Sequence, residues 1–256
     1  MIMERSKALI SYLAGVLGQI WIVCIVVFIL RRSGVTVNYS SVVGWAAIAV
    51  GGLSSAIWGS IVSIKYRKHG FGKIVKDFFG VKQSPVAYLL VLLFLVIDFL
   101  PVILCGKFEI NVWYLPITMF FQMLAFGGIE EIGWRYLFQP VLQEKLHYIP
   151  ATLLTFVFWA IWHFSFFYID GSLAQVSVID FSIALLTNCF ILSALFTKTK
   201  SLWICAMTHA LINVFSTLAT GGNAYLTCVV RVVIIAIAIV ITQIESKRAI
   251  KSASST

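Results

Sequence analysis

The sequence predicts an all-α fold, a polytopic transmembrane bundle of about eight helices. Three observations point there. The chain of 256 residues is 61% hydrophobic and only 11% charged, where ordinary soluble domains carry roughly a quarter charged residues. Uncharged apolar runs near the ~20 residues that cross a bilayer core recur along its length. Short breaks rich in Gly, Pro and basic residues separate them, such as "RRSG", "KYRKHGFGK", "KQSP", "HYIP", "TKTK" and "TGGN".

The first run, residues 8–30, follows a short basic start with Arg5 and Lys7. It is too long for a signal peptide and ends in Arg31-Arg32 with no small-x-small cleavage pattern, so it reads as a retained span. Further spans are expected at 42–64, 86–105, 113–143, 150–169, 177–196, 201–219 and 224–244. The fourth is longer than a bilayer needs, so it should tilt or project. No repeat or long linker divides the chain. It reads as one integral domain: two N-terminal spans and a basic loop over 1–85, a core over 86–244 and a tail over 245–256.

Charge placement orients these spans. Of 19 Lys and Arg residues, 14 fall in segments on one side: the N-terminus, the 65–85, 144–150 and 197–200 loops and the C-terminus. Only Arg31, Arg32 and Lys107 fall on the other side, and Arg135 and Arg231 lie within spans. Basic loops stay inside, so both termini are expected in the cytoplasm, with the protein integral to the plasma membrane of a bacterium. The net charge of +9 reflects this orientation and anionic lipid at the 65–85 loop, not nucleic acid. The cysteines Cys24, Cys105, Cys189, Cys205 and Cys228 form no C-x-x-C pair and read as small apolar packing residues.

Ionisable residues inside a bilayer are rare and are functional candidates by default. The fourth span carries Glu130, Glu131 and Arg135 in "GGIEEIGWRYLFQP", the fifth His163 in "FVFWAIWHF", and the seventh His209 and Asn213 in "MTHALINVF". Glu131 and Arg135 are four apart and share a helix face, whereas Glu130 points roughly 100° away. His209 and Asn213 share a face, as do Trp159 and His163. Counted along the expected spans, these groups fall at similar depth, about 12–20 Å from the inner ends at ~1.5 Å per residue. One cavity biased toward the cytoplasmic half is therefore expected. The bland alternatives are an ion-pair knot joining helices and interhelical hydrogen bonding by the histidines. Asp98, Asp180 and Arg231 read as structural, with Asp98 and Arg231 candidates to pair across helices.

A carboxylate and an imidazole can together deprotonate water, while a second imidazole and a carboxamide can donate to an oxyanion. That set hydrolyses an amide. Alternatively, Glu130, His163 and His209 could supply a His/His/carboxylate zinc site with an open position, although no H-E-x-x-H spacing supports it. A scheme that requires no cofactor is favoured.

The three motifs resemble those of the CPBP family of intramembrane proteases, which includes CAAX prenyl endopeptidases and bacteriocin-processing or immunity proteins. "EEIGWR" matches E-E-x-x-x-R. "WAIWH" is similar to F-x-x-x-H with Trp159 in the Phe place, and "HALIN" matches H-x-x-x-N. The resemblance covers roughly residues 86–244. It implies a water-activating Glu130 assisted by His163, an oxyanion bound by His209 and Asn213, and a site oriented by Glu131 and Arg135. It also implies a membrane-embedded peptide or protein substrate, prenylated or a bacteriocin or pheromone precursor. The family is often labelled metalloprotease, while some CAAX-type members resemble metal-independent glutamate proteases. Competing classes are a proton-coupled transporter and a non-catalytic immunity protein of the same fold.

Overall fold

The computed structural model describes residues 2–253 and is helical nearly throughout. Helix α1 (Ile2–Arg32) is followed by α2 (Val42–Gly52) and α3 (Ser54–Arg67), two halves of one span broken at Leu53 after two glycines. A short α4 (Phe71–Phe78) occupies the basic loop. Helices α5 (Pro85–Asp98) and α6 (Leu100–Cys105) form the third span, interrupted just before Pro101, where a proline without an N–H cannot continue the ladder.

The fourth span is the most irregular. It starts as α7 (Leu115–Phe126) and tightens to a 3₁₀ turn over Gly128–Glu130. It resumes as α8 (Glu131–Gly133), widens into a π segment over Trp134–Phe138 and ends as α9 (Gln139–Gln143). Four regular helices follow: α10 (Tyr148–Asp170), α11 (Val178–Thr199), α12 (Leu202–Leu218) and α13 (Ala224–Ala253). Serines 41, 84, 177 and 201 each accept a bond from the backbone N–H three residues on, at the starts of α2, α5, α11 and α12. Such caps satisfy N–H groups that the helix itself leaves unpaired.

Among the described residues, five helices are long and apolar enough to cross a membrane: Glu4–Arg32, Val42–Arg67, Tyr148–Asp170, Val178–Thr199 and Ala224–Arg248. Pro85–Asp98 and Leu202–Leu218 are shorter apolar helices. Leu89, Leu92, Val232 and Val240 are exposed on their outer faces, as an acyl-chain belt requires. Residues 245–253 continue α13 as helix instead of forming a separate tail, and 254–256 lie outside the described residues.

Side-chain ties sort the loops onto two faces. Glu144 after α9 pairs with Arg5 of α1 at 2.6 Å and with Arg67 of α3. Lys198 of α11 pairs with Glu245 of α13 at 2.6 Å. These contacts gather the basic segments on one face. On the opposite face, strand β1 (Gly106–Phe108) pairs antiparallel with β2 (Ala219–Gly221), Gly106 facing Gly221. That pair fastens the end of the third span to the end of the seventh. There too, Arg31 donates to the carbonyls of Val37, Tyr168 and Ile169 at 2.7–2.9 Å, capping the last turn of α10. The expected pairing of Asp98 with Arg231 is not formed: among the described residues no ion pair within 4.0 Å joins them.

The basic loop is more than a lipid-facing segment. Ile74 and Phe78 of α4 are buried in one cluster with Ile132, Leu202 and Ala206, and Tyr136 donates to Asp77 at 2.6 Å. Helix α4 therefore lies beneath the fourth span on the basic face.

Candidate active site

Glycines set the position of the charged stretch. A Cβ on Gly59 of α3 would lie 2.6 Å from the Cα of Gly133, so the two backbones touch where they cross. A Cβ on Gly133 would meet the Tyr12 hydroxyl and Ser55 Oγ, each at 2.3 Å. Those two hydroxyls bond to each other at 2.9 Å, and Ser55 Oγ donates to the Glu130 carbonyl at 3.0 Å. Ser54 accepts from the Trp162 indole at 2.8 Å. The first two spans, which carry none of the motifs, thus clamp both the fourth and the fifth.

Glu131 and Arg135 are fully buried, and Glu130 and His209 are each 4% exposed. The Glu131 carboxylate is shared: one oxygen lies 2.8 Å from His209 Nδ1, the other 3.4 Å from Arg135 Nε. The Arg135 guanidinium also donates to Cys189 Sγ at 3.2 Å and sits 4.1 Å from the Trp159 ring centroid. A buried cation is tolerable because a carboxylate, a polarisable sulfur and a π face surround it. The expected Glu131–Arg135 pairing is present, and His209 is a closer partner of the same carboxylate. Cys189, taken from sequence as packing, touches the cation.

Glu130 points elsewhere, as a residue 100° around the helix should. Its Oε2 accepts from the Trp159 indole N–H at 2.8 Å and lies 4.0 Å from His163 Nε2. Trp159, the departure from an aromatic Phe, therefore supplies a donor that Phe lacks. Its ring centroid is 5.1 Å from that of His163 and 5.4 Å from that of His209, so it spaces the two imidazoles. Gly127 fits under the remaining pair: a Cβ there would lie 2.6 Å from Asn213 Nδ2 and 3.3 Å from His209 Nε2.

A cavity of about 260 Å³ is lined by Glu130, His163, Asn213 and Gly127, with His209 behind its wall. It differs from the sequence expectation in direction. Its other walls, including Tyr39, Trp45, Gln122, Phe126, Phe167 and Phe181, all lie on the side of the 33–41 segment and the β pair. His163 is nearer the Asp170 end of α10 than the Tyr148 end, and Asn213 is nearer the Leu218 end of α12. The expected spans over 150–169 and 201–219 match α10 and α12 to within two residues, so the counted depths hold; what they left out is the distance to the other end, which is shorter for both residues. The cavity opens toward the opposite face.

A zinc site fits poorly. Glu130 and His163 face the cavity, and His209, with Nδ1 on Glu131, presents Nε2 beside Gly127, an orientation a ligand histidine could also take, so convergence of three ligands decides the matter. Among the described residues no three His, Cys, Asp or Glu side chains gather as zinc ligands must.

Sequence reasoning did not assign roles to Gly127, Gly133, Tyr12, Ser54 or Ser55. The signal for the last two was visible in "GGLSSAIWG", where adjacent serines and small residues interrupt an apolar span.

Residues 111–215 match the family described as Type II CAAX prenyl endopeptidase Rce1-like. The chain is also 26% identical over 202 residues to CAAX prenyl protease 2 of Methanococcus maripaludis, covering 71% of this chain and 72% of that one. Both findings support membership of the CPBP family, and with it an intramembrane endopeptidase.

Proposed function

We propose that the chain, as a CPBP-type intramembrane protease, hydrolyses a peptide bond of a membrane-associated peptide or protein by water activation at Glu130 and His163. The observation that carries this reading is the grouping of Glu130, His163 and Asn213 on one cavity inside an apolar bundle. At 4.0 Å, Glu130 Oε2 and His163 Nε2 are spaced to share one water through hydrogen bonds. Glu130 takes a proton from that water as its oxygen attacks the scissile carbonyl carbon. The resulting oxyanion is held by the Asn213 amide. His209 joins it as imidazolium, with Nδ1–H donating to Glu131 and Nε2–H beside Gly127 as the donor. Collapse of the intermediate breaks the C–N bond, and Glu130 returns its proton to the leaving amine.

Glu131 and Arg135 act by holding His209 and the helix turn, and no metal is required. Residues 86–244 form the catalytic core, 1–85 its clamp. The relative's name raises a prenylated protein as substrate; a bacteriocin or pheromone precursor is the other class the family offers. Peptide profiling of membranes from cells making the wild type or Glu130→Gln tests the activity. Cleavage products that depend on Glu130 are expected, and identical profiles would refute the reading.

A further inference from the structure

The cavity and the basic loops lie on opposite faces of the bundle. The walls beyond the candidate catalytic groups come from Tyr39 and the first half of α2, the second half of α7, the end of α10 and the start of α11. All of these lie toward the face carrying the 33–41 segment. On the basic face the way is closed. Tyr12, Trp134 and Phe138 pack there edge-on and tilted with centroids 5.4–5.9 Å apart, and α4 covers Ile132 and Leu202 with Ile74 and Phe78.

Charge identifies the two faces. Fourteen Lys and Arg residues lie on the plugged face and three on the open one. One of those three, Arg31, is occupied with carbonyls at the end of α10, which leaves the open face poorer still in loop charge. The positive-inside rule therefore makes the plugged face cytoplasmic and the open face extracytoplasmic.

The lining adds a second constraint. Half of its lining residues are Phe, Trp or Tyr and it includes no Lys or Arg, so it offers a free C-terminal carboxylate no permanent cation. At about 260 Å³ it is smaller than the ~300–1,000 Å³ of typical small-molecule pockets. It suits a few apolar side chains of an internal segment.

We infer that the cavity admits its substrate from the extracytoplasmic face, and that the substrate is an apolar internal segment of an exported peptide or membrane protein, not a cytosolic prenylated C-terminus. This rests on the endopeptidase reading for its chemistry, and on the fold together with the charge asymmetry of the loops for its direction.

Sided labelling tests the direction. The exposed Cys105 and Cys228 are first changed to Ala, and single cysteines are placed as Ser33→Cys, Lys82→Cys, Gln122→Cys and Phe167→Cys. Intact cells are treated with a membrane-impermeant biotin-maleimide, then compared with permeabilised cells. Ser33→Cys and at least one of the two lining variants should label in intact cells, and Lys82→Cys only after permeabilisation. Labelling of Lys82→Cys in intact cells, or failure of both lining variants to label from outside, overturns the inference. Two lining positions guard against one misfolded variant. Peptide profiling of culture medium and cytosol, wild type against Glu130→Gln, tests the substrate class. Products confined to cytosolic C-termini would overturn it while leaving the protease reading intact, whereas no Glu130-dependent product at all would remove the protease reading itself.

Discussion

Replacing Gly127 with Ala perturbs the oxyanion donors without removing any of them. The added Cβ would sit 2.6 Å from Asn213 Nδ2 and 3.3 Å from His209 Nε2, where ordinary contact begins near 3.4 Å. The Asn213 amide must therefore withdraw by about 0.8 Å, the difference between those two distances. It sits at the end of a flexible, half-buried side chain and can do so cheaply. Overpacking costs about 1–3 kcal/mol, while Ala regains about 0.5–1 kcal/mol over Gly in a helical turn. The φ of −95° suits Ala, so the variant should fold with a loss of roughly 2 kcal/mol at most. Function should suffer more. Displacing a positioned donor by close to 1 Å costs on the order of 10²-fold in rate, like the loss of one oxyanion donor. The assay is single-turnover cleavage of a peptide identified by its dependence on Glu130, with melting of the purified protein measured in parallel. Gly72→Ala on α4, where a Cβ meets nothing within 4 Å, is the control and should match the wild type. A Gly127→Ala protein with wild-type turnover would remove Asn213 and His209 from oxyanion binding.

Trp159→Phe restores the aromatic Phe of the F-x-x-x-H pattern and deletes the 2.8 Å bond to Glu130; leaving that buried acceptor without its donor should lower stability by about 1–3 kcal/mol, seen as a lower melting midpoint, and an unchanged midpoint would contradict the bond. Glu131→Gln leaves Arg135 buried with no carboxylate at 3.4 Å and should destabilise by about 3–5 kcal/mol. The double variant Glu131→Gln/Arg135→Met should recover part of that stability without recovering cleavage, and a double variant no more stable than the single one would refute the ion pair. Dialysis against a strong chelator should leave turnover unchanged, and loss of activity restored only by added zinc would overturn the metal-free scheme.

Much of the fold was legible because its signals are local. Each expected span became one helix, two halves or, in the fourth, a run of short helical segments, since apolar length and flanking Gly, Pro and Lys are properties of the segment itself. The four-residue spacings of Glu131 with Arg135 and of His209 with Asn213 survived even through the irregular fourth span. What depended on neighbours was not legible. Gly59 and Gly133 read as two separate glycines until the helices cross at them. The β1–β2 pair joins residues over a hundred apart with no strand signal in "GKF" or "ATG". Ile74 and Phe78 are ordinary apolar residues of a basic loop until α4 folds beneath Ile132. The direction of the cavity failed for a related reason. Depth counted from the inner ends leaves out the distance to the outer ends, and only the set of walls shows which way a cavity faces.

The central claim is that Glu130 activates water while Glu131 holds structure, and Glu130→Gln separates the two most directly. The substitution keeps size and leaves an oxygen able to accept from the Trp159 indole at 2.8 Å, so the melting midpoint should stay close to that of the wild type. It removes the base, and peptide cleavage should fall by at least about 10²-fold. Full cleavage by a stably folded Glu130→Gln protein would contradict the account and leave the buried charges of the fourth span as helix packing alone.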